Sequence, residues 1–274
     1  MDRRPTSPNP EPAHLRRVLR MRHDVLAEVE DMVIDEVPVA LVYNGISHAV
    51  MMATPADLED FALGFSLSEG IIARPAECYG IDVEPGKEGI AVQLEIAASA
   101  FTALKERRRS LAGRTGCGLC GVDSLQQVSR PLPVLEPAQG FHAAAVRRAL
   151  DAIGAEQALN RSTGAAHAAA WCGNDGGLRI VREDVGRHNA LDKVIGAMAA
   201  TRVRPGEGFL LITSRVSYEM AQKAIMAGVP ALVGMSAPTL AAVELAERAG
   251  MTLLAFARGR DYVCYAHARH LRLD

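Results

Sequence analysis

From residue 209 to 256 the chain repeats one unit: a short apolar run, a polar exit, then an amphipathic segment. The apolar runs fall at 209–213, 231–235 and 251–256, with helix-period segments at 217–227 and 239–249. The runs are of strand length, and the segments between them are of helix length. Strands that alternate with helices build a parallel-type sheet covered on its faces. Upstream, the same reading gives a helix near 141–153, a strand pair near 166–172 and 178–183, and a helix at 187–200. Ligands of such sheets sit beyond the carboxyl ends of the strands, so the exits are where a site is sought.

Each exit is polar or cationic. Thr213-Ser-Arg215-Val-Ser217 follows the first run, Ser236-Ala-Pro-Thr239 the second, and Arg258-Gly259-Arg260-Asp261 the third. Together they describe one rim of arginines and hydroxyls, suited to phosphate groups. Arg182-Glu-Asp-Val-Gly-Arg-His-Asn-Ala-Leu-Asp-Lys193 falls where a strand runs into a helix. It places Arg187, His188 and Lys193 near a helix N-terminus, where anions are favoured. The competing reading is an exposed charged helix start, with His188 paired to Asp184 and Asp192 at i,i+4 spacing. His167, inside Ala165-Ala-His-Ala-Ala169, is either a satisfied core histidine or a member of the site.

The first half is organised differently. Two apolar runs, 37–43 and 46–52, flank Asn44-Gly45, a dipeptide that accepts positive φ at both turn positions and so predicts a hairpin. Thr54-Pro55-Ala-Asp57 predicts a helix start with Thr54 as N-cap, and Leu58, Phe61, Ala62 and Phe65 as its apolar face. A strand at 89–96 and a helix at 97–111 follow. These elements divide the chain into a flexible Pro- and Arg-rich lead at 1–26 and a smaller α/β subdomain at 27–112. A Gly/Pro-rich loop and linker at 113–140 then leads into an α/β domain at 141–274.

Thirty Lys+Arg against thirty-two Asp+Glu leave a net charge of -2, which excludes a whole-protein basic field for nucleic acid. No apolar run reaches the ~20 residues of a membrane span, and the lead lacks a secretory pattern, so a cytoplasmic location is expected. Of five cysteines, three stand alone and two form a close pair, Cys117 and Cys120.

That pair lies in Gly113-Arg-Thr-Gly-Cys-Gly-Leu-Cys-Gly121, where four glycines in nine residues exclude regular structure. Four readings compete. Half of a zinc site would need a second close pair of ligands, and no second C-x-x-C or H-x-H pair is present. A dinucleotide fingerprint, literally spelled by Gly116, Gly118 and Gly121, would need a strand before it and a helix after it. Thiol chemistry fits a mobile loop in which Arg114 and glycine N–H groups stabilise a thiolate. An unreactive pair of loop cysteines is the fourth.

Four segments in order resemble the FdhD/NarQ family of formate dehydrogenase accessory proteins. They are Thr115–Gly121, Arg182–Lys193, Ser236–Thr239 and Phe256-Ala257-Arg258-Gly259-Arg260-Asp261. The resemblance runs from about Val33 to Tyr265. It implies an α/β/α sandwich similar to cytidine deaminases, and a homodimer. It implies a sulfurtransferase that receives persulfide sulfur from a cysteine desulfurase. The sulfur goes to the molybdenum bis(molybdopterin guanine dinucleotide) cofactor, and the protein is needed for formate dehydrogenase activity. Cys117 is then the persulfide carrier and Cys120 its partner. Phe256, Ala257, Arg258, Gly259, Arg260 and Asp261 match the segment that holds the guanine dinucleotide. Arg187, His188, Lys193, Arg215 and Ser236 are expected beside it, and GDP is expected to bind as a fragment analogue. The chain departs from the family pattern at Ala165 and Ser214, where glycine is frequent. Zinc deaminases use H-x-E with P-C-x-x-C. This chain has no H-x-E, so no zinc is expected. The alternative function is a cofactor chaperone that moves no sulfur; a dithiol oxidoreductase is a third.

Overall fold

The computed structural model describes residues 10–112, 132–137 and 141–273. Cys117 and Cys120 lie outside the described residues.

The larger lobe is built on a six-stranded sheet of order β12-β11-β10-β9-β7-β8. Its centre is the expected parallel trio: β9 (Gly208–Ile212), β10 (Ala231–Gly234) and β11 (Thr252–Arg258). Antiparallel strands complete it: β7 (His167–Gly173) and β8 (Leu178–Asp184) beside β9, and β12 (Asp261–Ala266) beside β11. Alternation along the strands sends Trp171, Leu210, Ile212 and Leu232 to one face. There they pack under α5 (Arg187–Ala200), α6 (Tyr218–Met226) and α7 (Leu240–Ala249). Phe209, Leu211, Val233 and Leu254 go to the other face, under α3 (Ala143–Glu156). The result is a three-layer α/β/α arrangement. The short α4 (Ala158–Thr163) follows α3.

The smaller lobe has a four-stranded sheet of order β4-β3-β6-β5. β3 (Val37–Tyr43) and β4 (Ile46–Ala53) form the expected hairpin, with Asn44 at φ 45 and Gly45 at φ 81. β5 (Cys78–Pro85), for which no strand was expected, pairs with β6 (Ile90–Ile96). Val39, Leu41, Val92 and Leu94 meet Phe61 and Phe65 of α1 (Leu58–Ser68) in a second core, which Leu104 of α2 (Ala98–Ala112) joins.

Two local expectations need correction. The lead expected to be flexible over 1–26 carries regular structure from Ala13 onward. β1 (Ala13–Arg22) and β2 (Val25–Ile34) form an antiparallel hairpin, turning at His23 and Asp24 with φ of 50 and 62. Its arginines mask a period-two alternation, and its turn carries neither Gly nor Asn, so the usual hairpin signal is missing. Thr54 does not cap α1 either. The helix begins at Leu58, and Asp57 holds the N-cap position at φ 52 without a side-chain bond. Thr54 is turned across the molecule, where its hydroxyl accepts from the Val185 N–H at 3.1 Å.

Candidate functional site

The carboxyl ends of β9, β10 and β11 lie side by side because their registers run Ile212–Gly234 and Val233–Leu254. The loops beyond them are tied by main-chain bonds. Val216 N–H donates to Ala237 O at 3.0 Å, Thr239 N–H to Val216 O at 2.9 Å, and Phe256 N–H to Ser236 O at 3.1 Å. These bonds continue the sheet past its strands and hold Arg215, Ser236 and Phe256 on one rim. Arg215 is exposed, and Ser236 is half-buried.

Phe256 sits in an irregular stretch of the β11–β12 pairing, at φ 52 and half exposed. A bulky residue at positive φ is strained, and such strain clusters at functional sites. Arg258 then lies opposite Asp261, and Gly259 at φ 54 turns the chain through the exposed Arg260. Ala257 faces the other way and is fully buried in the core under α3, so it does not line the rim.

Antiparallel pairing brings two more residues to this edge. His167 opens β7 opposite Asp184, the last residue of β8. From there Gly186 leads into α5, whose first residues are Arg187 and His188. Arg187 Nε and His188 Nε2 are buried and have no hydrogen-bond partner among the described residues. Burial, with Arg187 and Lys223 nearby, pushes His188 down to about 4, so its imidazole is neutral at pH 7. Burial and Arg187 also lower His167, against the pull of Asp184. Burial works to raise Glu219, but main-chain and Ser217 bonding, with His188 and Arg187, hold it below the usual carboxylate range. The N-terminus of α5 thus presents a guanidinium and a neutral imidazole beside one carboxylate.

Lys193 is corrected by the structure. It is fully buried, with Nζ 2.7 Å from Asp184 Oδ2 and 3.1 Å from Thr54 O. Asp184 also accepts from the N–H groups of Thr54 (3.1 Å) and Gly186 (2.7 Å) and from Asn189 Nδ2 (3.0 Å). A carboxylate with this many donors is anchored, and its lysine is held inside with it. Asp192 is likewise turned inward, onto Lys223 Nζ at 2.9 Å and Ser68 Oγ at 2.7 Å. The i,i+4 pairs expected for His188 therefore give way to two buried ion pairs.

Those pairs join the lobes. Thr54 and Ser68 come from the smaller lobe, and Asn189 Nδ2 donates to Met52 O at 2.8 Å. Arg182 adds a clamp, with Nε and Nη2 on Asp60 Oδ2 at 2.9 and 2.7 Å. Sequence reasoning did not single out Lys223 or Ser68. The available signal was α5 itself, where Asn189, Asp192 and Lys193 sit among Ala190, Leu191, Val194 and Ile195, in a helix buried nearly all round. Among the described residues no cluster of three or more metal-ligating side chains is found, and no helix is long and apolar enough to cross a membrane.

Fold and rim together define a mixed α/β protein with a cationic rim at the strand ends of its larger sheet. The family model described as FdhD/NarQ family matches residues 34–272, and the chain belongs to that family. It is 56% identical to the sulfur carrier protein FdhD of Cupriavidus necator over 256 residues, covering 93% of this chain and 88% of that protein. It is 50% identical to the sulfur carrier protein FdhD of Xanthomonas campestris pv. campestris over 273 residues, covering 100% of this chain and 97% of that one. The fold is similar to the crystal structure of a putative formate dehydrogenase accessory protein from Desulfotalea psychrophila. The TM-score is 0.76 at 22% identity, covering 95% of this chain and 99% of that one.

Proposed function

We propose that this protein is a cytoplasmic sulfurtransferase serving formate dehydrogenase, and that Cys117 carries the sulfur. The observation that carries the reading is full-length similarity, at 50% identity, to a protein named as a sulfur carrier. The chemistry is that of a thiolate. Cys117 attacks the terminal sulfur of a cysteine desulfurase persulfide, the S–S bond of the donor breaks, and the donor cysteine leaves as thiolate. Cys117 then bears the persulfide. Attack by Cys120 on the inner sulfur would release sulfide and close a Cys117–Cys120 disulfide, the two thiolates supplying the two electrons.

The rim supports the choice of acceptor. Molybdenum bis(molybdopterin guanine dinucleotide), as substrate, carries several phosphates and two guanines. Arg187, Arg215, Arg258 and Arg260 offer charge-assisted donors to the phosphates. Arg187 Nε and His188 Nε2 are buried donors or acceptors awaiting a polar partner. Phe256, half exposed, offers a ring face to a base.

Mass spectrometry after incubation with a desulfurase and cysteine tests the carrier role. One added sulfur on Cys117, absent in Cys117→Ser, is the expected result. Full formate dehydrogenase activity in cells bearing Cys117→Ser would favour a chaperone that moves no sulfur. A trapped disulfide with no persulfide at any time would favour an oxidoreductase.

A further inference from the structure

α1, α5, α6 and α7 end alike. The chain passes through one residue at positive φ, and that residue and its successor donate back into the last turn. At three of these ends the residue is glycine: Gly70, Gly228 and Gly250, at φ 58, 74 and 79. At the end of α5 it is Arg202, at φ 56. Its N–H donates to Ala199 O at 3.2 Å, and Val203 N–H donates to Met198 O at 2.9 Å. Glycine takes this conformation without the strain that a side chain meets. The Arg202 guanidinium makes no hydrogen bond or ion pair among the described residues that would offset that strain. Strained backbone of this kind clusters at functional sites.

Arg202 and Arg74 stand exposed at an open cavity of about 770 Å³ between the lobes, where Leu63, Ile81 and Val203 are half-buried. Among the described residues no carboxylate lines it. One wall is the free edge of a sheet, since β5 is the outer strand of the order β4-β3-β6-β5. Gly86 N–H bonds Gly89 O across the turn at 2.8 Å, and the register runs unbroken from there back to Gly80 opposite Glu95. Bonded and non-bonded pairs alternate along an antiparallel ladder. Gly80, Asp82 and Glu84 therefore bond to β6, and the N–H and C=O groups of Ile81 and Val83 point outward. Pro85 has no N–H and closes the edge at its far end.

We propose that this groove receives an extended acidic segment of a partner protein, which adds as a strand along Ile81 and Val83 and sets its carboxylates on Arg74 and Arg202. This goes beyond the sulfur-transfer reading and does not depend on it.

Three observations commit the occupant. First, outward N–H and C=O groups on a sheet edge are matched by another backbone, which is how extended peptides are held. Second, the charges select acids. Glu77 is turned to the Ala73 N–H at 2.9 Å and to Arg74 Nε at 3.3 Å, which leaves the rest of that guanidinium free of it. Asp82 and Glu84 lie further along β5, outside the cavity, so they hold the acids of an added strand at the arginine end. The C-terminal end of α5 disfavours an anion by itself. There the carbonyls of Ala197, Met198 and Ala199 are already bonded, and two guanidiniums outweigh the remainder. Third, the place is separate from the rim. The 14 residues of α5 put about 20 Å between Arg187 and the groove, so a bound segment leaves the strand-end arginines open.

Fluorescence anisotropy of the full chain with a labelled hexapeptide, Asp-Glu-Val-Thr-Val-Thr, tests this. Saturable binding is expected, and the same peptide with lysines for its two acids should not bind. Arg74→Ala and Arg202→Gly should each weaken binding about tenfold, the worth of one charge-assisted contact. Arg202→Gly should also raise the urea midpoint, because glycine relieves the backbone; stabilisation with unchanged binding would reduce Arg202 to a poor helix end and overturn the proposal. N-methylation of the peptide at one set of alternate residues should abolish binding, and at the other set should leave it intact. Equal tolerance of both sets would make the contact electrostatic only and overturn strand addition. A wild type that binds no acidic peptide overturns it too, as does binding that appears only on dilution, which would put a second copy of this chain in the groove. Cys117→Ser should bind the peptide as the wild type does, which separates failure of this inference from failure of the sulfur-carrier reading.

Discussion

Gly64 of α1 and Gly196 of α5 meet backbone to backbone where the two lobes join. A Cβ on Gly64 would overlap the carbonyl oxygen of Asp192, and one on Gly196 would overlap that of Asp60. The same helices carry Ser68 on one side and Asp192 on the other, and close approach of the backbones brings Ser68 Oγ within 2.7 Å of Asp192 Oδ1.

Gly196→Ala should therefore destabilise the whole chain. Overpacking of this kind costs about 1–3 kcal/mol, and here the obstacle is backbone that cannot swing aside. Urea unfolding should show a lower midpoint. An unchanged midpoint would mean the helices separate freely.

Lys193→Met removes one partner of a fully buried ion pair. Stranding Asp184 should lower stability by about 3–5 kcal/mol. Arg215→Ala, at an exposed position, should change stability by less than about 0.5 kcal/mol. The contrast separates a lysine buried in an ion pair from an arginine exposed on the rim. Thermal unfolding of the two variants side by side measures it.

Arg258→Ala should weaken GDP binding roughly tenfold, the worth of one charge-assisted phosphate contact. Titration calorimetry reads this directly. Absence of GDP binding by the wild type, or equal binding of ADP, would count against a guanine nucleotide at this rim.

His188 gives a pH signature. Its folded value of about 4 lies below the ordinary 6.5. The unfolded chain thus binds the proton more readily between those values, and stability is lost as pH falls through that window. The linked loss is about 3 kcal/mol at most. Asp192, raised by burial to about 6, acts in the opposite sense over part of the same range. The test is therefore a difference: His188→Gln should lose less stability than the wild type between pH 6.5 and 4. Parallel denaturation curves for the two proteins would contradict it.

Much of the larger lobe was legible because its strands are short, apolar and separated by amphipathic helices of ordinary length. The rim followed from the strand ends, and Arg215, Ser236, Arg258 and Arg260 were found there from sequence. Lys193 was misplaced because charge near a helix N-terminus looks the same whether it faces a ligand or an internal carboxylate. Its partner Asp184 sits nine residues earlier, across a turn, where no local spacing rule reaches. Ala257 was carried along with its motif, although strand alternation alone turns it from Phe256 and Arg258 into the core. β1 and β5 went unseen because half of their side chains are charged or small and their faces are only partly covered.

The joint between the lobes has a consequence for how the chain holds together. Residues that the sequence separates by more than 120 positions, Arg182 with Asp60 and Asp192 with Ser68, are bonded directly. A chain nicked between residues 112 and 132 should therefore migrate as one particle under native conditions and fall into two pieces only in denaturant. Its halves, produced separately, would each carry unmatched charges on a surface meant for the other. They should regain solubility when mixed, as two fragments that complete one fold.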